Sequence, residues 1–208
     1  MKVLLLNGSP HRSGCTATAL KEIEQQLAQE GIDTETYHLG SQPLRSCLSC
    51  RLCATLGKCT ITSDGVNDFI DMAARSDAFI FGSPVHYASA TGAITTFLDR
   101  AFFAGSWAFR FKPGAAIVSA RRAGTTAALD QLNKYFLFNN MPLIPSQYWN
   151  MVHGSVAADV AADAEGLQIM RTLARNAVWL LKALAVAKEN GIDHPTLEEP
   201  RMRTNFIR

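Results

Sequence analysis

Residues 3–16 read Val3-Leu4-Leu5-Leu6-Asn7-Gly8-Ser9-Pro10-His11-Arg12-Ser13-Gly14-Cys15-Thr16: an apolar run, a turn, then a polar loop opening a helix. Four consecutive apolar side chains suit a parallel strand covered on both faces, because neither face then meets water. The loop behind it gathers backbone N–H groups at the positive end of a helix dipole, where a phosphate fits. Ser9, Ser13 and Thr16 add hydroxyl donors, Gly14 lets the backbone approach, and His11 or Arg12 adds charge. The loop is neither G-x-x-x-x-G-K-[ST] nor G-x-G-x-x-G. A plain strand-to-helix turn accounts for it as readily as a phosphate site does.

Outward from this unit the pattern repeats. A helix over 16–30 carries Leu20, Ile23 and Leu27 on one face and stops at Gly31, and 32–37 alternates as a second strand. A short helix around 66–73, capped at Ser63-Asp64, precedes a strand over 78–82, a helix over 91–103 and a strand over 114–119. A helix over 124–140, a weaker fifth strand at 142–145 and a long helix over 164–189 complete the series, Gly191 stopping the last. Regular alternation of strand and helix implies βαβ units, a parallel sheet and right-handed crossovers. In such sheets ligands sit beyond the carboxyl ends of the strands, so the loops after strands one, three and four are the informative ones.

Composition fits one domain over 1–208. The chain has 48% hydrophobic and 18% charged residues, ample for a core. A net charge of +2 argues against binding nucleic acid by phosphate neutralisation. No apolar stretch approaches the ~20 residues of a membrane span, and the N-terminal run breaks at Asn7-Gly8 too soon for a signal peptide. A cytoplasmic protein is expected. Residues 194–208, with Pro195 and Pro200, are expected to form an irregular tail along a partner subunit.

The second loop, Gly82-Ser83-Pro84-Val85-His86-Tyr87-Ala88-Ser89-Ala90-Thr91-Gly92, puts an apolar residue, an imidazole and a phenol at the tip of a central strand. Its backbone, stiffened by Pro84, suits the edge of a flat heteroaromatic ring; an ordinary loop with Tyr87 packed on the surface is the alternative. The third loop, Ser119-Ala120-Arg121-Arg122-Ala123-Gly124, holds two arginines that suit an anionic ring or a second phosphate, or simply a solvated sheet edge.

Strand–GSPHRSGCT–helix, strand–GSPVHYASATG–helix and strand–SARRAG–helix, in this order, resemble the NAD(P)H-dependent FMN reductases of the flavodoxin-like fold. The resemblance covers about residues 1–150. It implies a three-layer α/β fold, a five-stranded parallel sheet of order 2-1-3-4-5 and FMN at the switch between strands one and three. It also implies that Ser9, His11, Ser13, Gly14, Cys15 and Thr16 surround the phosphate and that Pro84, Val85, His86, Tyr87 and Ser89 line the isoalloxazine. Ser119, Arg121 and Arg122 would approach the pyrimidine edge or the nicotinamide. The chain departs from the family at Cys15, where Asn is frequent, and at His86, where an aromatic is usual. A homodimer or homotetramer is implied, because such pockets are commonly finished by a second subunit.

Four of the five cysteines crowd into C-x2-C-x2-C-x5-C: Cys47, Cys50, Cys53 and Cys59. Four thiolates so close together suit a [4Fe–4S] cluster, and the spacing is similar to that of the iron–sulfur flavoproteins. A packed or redox-active thiol loop and a zinc site remain alternatives. The leading reading is an enzyme passing hydride from NAD(P)H through FMN to a flavin, quinone or similar acceptor, with no catalytic side chain required. An electron carrier pairing cluster with FMN and a thiol or metal sensor are the competing classes.

Overall fold

In a computed structural model, which describes residues 1–196, 199, 202 and 204, the chain alternates strand and helix throughout. The strands are β1 (Lys2–Asn7), β2 (Asp33–His38), β3 (Ala78–His86), β4 (Ser89–Ala90), β5 (Gly114–Ala120) and β6 (Met151–His153). The helices are α1 (Cys15–Gln29), α2 (Cys53–Leu56), α3 (Val66–Ala74), α4 (Gly92–Phe109), α5 (Thr125–Phe138), α6 (Ala157–Ala162) and α7 (Ala164–Glu189). The sheet runs β2-β1-β3-β5-β6, all parallel, with the two-residue β4 antiparallel to the end of β3. Leaving out β4, this is the expected order 2-1-3-4-5.

The strands alternate their buried residues between two cores. Leu4, Leu6, Phe79, Phe81, Ala116 and Val118 face α3, α4 and α5, where Phe69, Phe97, Phe109 and Phe136 fill the layer. Val3, Leu5, Ile80, Ala115 and Ile117 face α1 and α7, against Ile23, Leu27, Met170 and Leu173. Every strand residue from Val3 to Leu6 is fully buried, as a doubly covered strand requires.

Three expectations need correction. The fifth strand is split: Leu143 makes only an isolated bridge to Gly114, and the paired strand is 151–153. Pro142 and Pro145 lack the N–H a ladder needs, so the chain leaves the edge and returns eight residues on. The third helix continues past Phe103 to Phe109, bending where Gly105 leaves helical geometry; a side chain there would strike Ile70. Ser63-Asp64 does not cap α3. Gly65, with φ +75°, precedes it, while Asp64 is committed to Arg100. The tail expected at 194–208 lies largely outside the described residues; His194, which is described, stacks on Phe111 with ring centroids 4.2 Å apart.

Candidate functional site

The loop after β1 is folded by its own polar groups. Asn7, buried at the strand's end, accepts from the Ser9 N–H (3.1 Å) and donates to the His11 carbonyl (3.4 Å). The Ser9 hydroxyl in turn accepts from the His11 N–H (3.1 Å). The loop can lie flat because Gly8 and Gly82 have no Cβ. One on Gly8 would strike Ile94 at 2.6 Å, and one on Gly82 would strike Thr16 at 2.8 Å. The chain then enters α1 through Gly14. Among the described residues no side chain caps this helix and no acid sits in its first turn, so its positive end is left open beside the cleft that Gly14, Cys15 and Thr16 line. At α4 the Thr91 hydroxyl does accept from the Ile94 N–H (3.2 Å), closing the equivalent position.

The stretch expected as a loop after the third strand is a β-hairpin. β3 runs on to His86 and returns as β4, with Val85 opposite Ala90 and His86 opposite Ser89. Tyr87 takes the left-handed conformation at its tip (φ 57°) and is fully exposed. The hairpin rests on the turn after β5, where Gly124 has φ +91° and a Cβ would meet Val85 at 2.8 Å. The Thr16 and Ser119 hydroxyls share a 2.9 Å hydrogen bond, joining the first loop to β5.

These segments enclose a cleft of about 690 Å3 at the carboxyl edge of the sheet, a size typical of small-molecule sites. Ser9, His11, Ser13, Gly14, Cys15, Thr16, Pro84, Val85, His86, Ser119 and Arg121 line it together. Tyr87 and Ser89 stand outside, carried out by the hairpin turn, and Arg122, exposed like its neighbour Arg121, is not part of the lining. A fourth wall, 154–157, was not legible in the sequence: it follows β6, whose three residues give no strand pattern. Cys15 reaches that wall, donating to the Gly154 carbonyl (3.5 Å), and burial pushes its thiol pKa up. Asn7 was also missed; its signal was a polar residue directly ending an apolar strand. The donor set fits FMN: an uncapped helix start with the Ser9 and Ser13 hydroxyls beside it can hold a phosphate dianion, and Pro84 and Val85 can flank a ring.

The four clustered cysteines sit apart from this cleft. Cys47, Cys50, Cys53 and Cys59 are free thiols lining one small hollow with Thr60, Arg100 and Phe103. Among the described residues no three His, Cys, Asp or Glu side chains converge on one ion position. A cubane does not ask for that, since each thiolate takes a different iron. The donors fit a [4Fe–4S] cluster in kind and number. The hollow itself, about 20 Å3, has room for a water only, so a cluster requires the irregular segment 47–52 to move outward. Burial raises the Cys53 thiol pKa, and the neighbouring thiolates push it the same way. The exposed Cys50 thiol is lowered by the Leu52 N–H and the Thr60 hydroxyl.

The NADPH-dependent FMN reductase family model matches residues 1–155. An iron–sulfur flavoprotein of Methanocaldococcus jannaschii is 28% identical over 192 residues, covering 88% of this chain and 99% of that protein. An NADPH-dependent FMN reductase of Pseudomonas putida is 28% identical over 48% of this chain and 46% of its own. A flavodoxin from the domain Archaea superimposes with a TM-score of 0.61 at 14% identity, over 88% of this chain and 99% of its own, which shows the fold. No helix among the described residues is long and apolar enough to cross a membrane. Since the family model takes in all three loops that converge on the cleft, the chain belongs to the NADPH-dependent FMN reductases, oxidoreductases working with FMN and a nicotinamide.

Proposed function

We propose that this chain, acting as one flavodoxin-like unit in the cytoplasm, oxidises NAD(P)H at the cleft and passes the electrons to a flavin, quinone or similar small acceptor. The observation that carries this is the uncapped start of α1 opening into a cleft shared with the hairpin and Arg121. In this reading the 14–16 N–H groups and the Ser9 and Ser13 hydroxyls bind the phosphate. Pro84, Val85 and His86 orient the ring, and Arg121 supplies positive charge at its edge. FMN held there would supply the redox chemistry between the nicotinamide and the acceptor. The residues themselves bind, orient and exclude water; none is required as an acid or base. Exposed Phe103 and Trp107 on α4 support a homodimer or homotetramer that covers them. Stopped-flow reduction by NADPH and by NADH tests the reading: flavin bleaching with either supports it, and bleaching with neither overturns it.

A second reading is an iron–sulfur flavoprotein that passes electrons to a protein partner through a [4Fe–4S] cluster on Cys47, Cys50, Cys53 and Cys59. The four thiols around one hollow favour it, as does the likeness to the Methanocaldococcus jannaschii protein along nearly its whole length. Iron and acid-labile sulfide after anaerobic reconstitution decide it: about four irons per chain, lost in Cys50→Ala, is the supporting result. Iron below about one per chain in wild type leaves a thiol loop without a cluster.

A further inference from the structure

Arg100 is a cation in the interior: its side chain, on α4, is 1% exposed. A lone buried charge is strongly unfavourable, so its contacts state what it is for. Asp64 pairs with it through both carboxylate oxygens. Its Nη1 donates to the Arg45 carbonyl (3.2 Å) and its Nη2 to the Ile61 carbonyl (3.0 Å), closing both ends of the cysteine segment. The one donor left, the Nε N–H, aims at a sulfur, Cys59 Sγ at 3.3 Å, and Nη2, already engaged by Asp64 and Ile61, lies at the same distance from it. The Cys59 backbone is clamped separately, its N–H donating to Asn67 Oδ1 (2.8 Å) and its carbonyl accepting from Asn67 Nδ2 (2.9 Å).

The other three cysteines have nothing comparable. Cys47 accepts from the Ser49 N–H two residues on (3.4 Å), Cys50 lies 3.7 Å from the Thr60 hydroxyl, and Cys53 is 3.8 Å from the Phe103 carbonyl. Cys47 and Cys50 sit on the irregular stretch 47–52, where Ser49 and Arg51 have positive φ. Cys59 is thus the most firmly held sulfur of the four, while Cys47 and Cys50 sit on irregular backbone and Cys53 opens α2.

We propose that Arg100 is a positioning residue for Cys59, fixing it as the anchored ligand of the loop and setting a cluster's potential through the Nε N–H···S bond and the adjacent positive charge; this rests on the iron–sulfur reading above. Donors to a ligand sulfur favour the more negative, reduced state and so raise the potential. Only a guanidinium serves Asp64, two carbonyls and a sulfur at once; an ammonium has neither the reach nor the fork.

The test uses anaerobically reconstituted wild type, Arg100→Lys and Arg100→Gln, with potentiometric titration followed by electron paramagnetic resonance. In parallel, mass-mapped alkylation of the cluster-free protein, run at alkaline pH where every thiol is ionised, ranks the four by access to the sulfur alone. The midpoint potential is expected to fall in both variants, less in Arg100→Lys, at unchanged FMN content. Cys59 is expected to be the slowest of the four thiols in wild type and to react several-fold faster in the variants, the other three holding their rates. An unchanged potential with an unchanged Cys59 rate overturns the proposal. If Arg100→Gln fails to fold, Arg100→Lys decides, since it keeps a cation beside Asp64. If both fail, the wild-type order alone decides: Cys59 reacting as fast as Cys47 refutes the anchor. Wild type that assembles no cluster ends the iron–sulfur reading, while the alkylation order still tests the hold on Cys59.

Discussion

The Cys15 thiol and the Gly154 carbonyl meet at 3.5 Å across 139 residues of sequence. That contact joins the start of α1 to the wall after β6, which the Gly154 N–H also ties to the Ala120 carbonyl of β5 at 3.0 Å. Burial raises the thiol pKa, with Asp159 adding to the shift and the Cys15 backbone opposing it.

A group whose pKa is higher folded than unfolded gives stability that is present below its unfolded value and lost as pH rises through its folded value. The melting temperature of wild type should therefore exceed that of Cys15→Ala at neutral pH. The gap should close above the ordinary thiol value of about 8.5. Thermal scans from pH 7 to 10 measure it, and a gap constant across that range would remove the thiol from the account.

Thiol reactivity should follow the same physics. Cys50, exposed and lowered by the Leu52 N–H, is expected to alkylate first at neutral pH, with Cys15 and Cys53 slow because both are raised by burial. Iodoacetamide labelling with peptide mapping gives the order directly.

Ser9→Ala removes a hydroxyl that faces the cleft and also accepts from the His11 N–H. A hydrogen bond to a charged group contributes about 1.5–3 kcal/mol, so FMN affinity should fall at least roughly tenfold. Fluorescence titration of the apoprotein measures this. Affinity equal to wild type would place the phosphate elsewhere.

The two adjacent arginines should behave differently. Arg121 lines the cleft and Arg122 does not. Arg121→Ala should lower the flavin midpoint potential and raise KM for the nicotinamide, while Arg122→Ala leaves both near wild type. Equal effects from the two would mean that only general surface charge matters.

Gly124→Ala should cost on the order of 1–3 kcal/mol, because φ +91° strains any L side chain and the new Cβ would press on Val85 and the Ala88 backbone. Urea titration should show the loss. FMN binding should weaken with it, since the hairpin leans on this turn.

The sequence alone determined the fold and the two loops that open the cleft. Val3 to Leu6 read as a doubly covered strand and the polar loop as the opening of a helix, and both are observed; that no side chain caps the helix is a finding of the structure. The strand and the helix opening are local consequences of side-chain period and backbone freedom. What depended on partners distant in sequence was not legible. Met151–His153 is a strand only because β5 offers it a ladder, whereas 142–145, read as a weak fifth strand, has a proline at each end and makes only one bridge. Asp64 has the composition of a cap, yet a buried cation 36 residues away outbids that role, since an unpaired charge inside costs more than an uncapped helix end. Spacing grouped the four cysteines; only tertiary structure singled out Cys59, because the side chains that fix it come from α3 and α4.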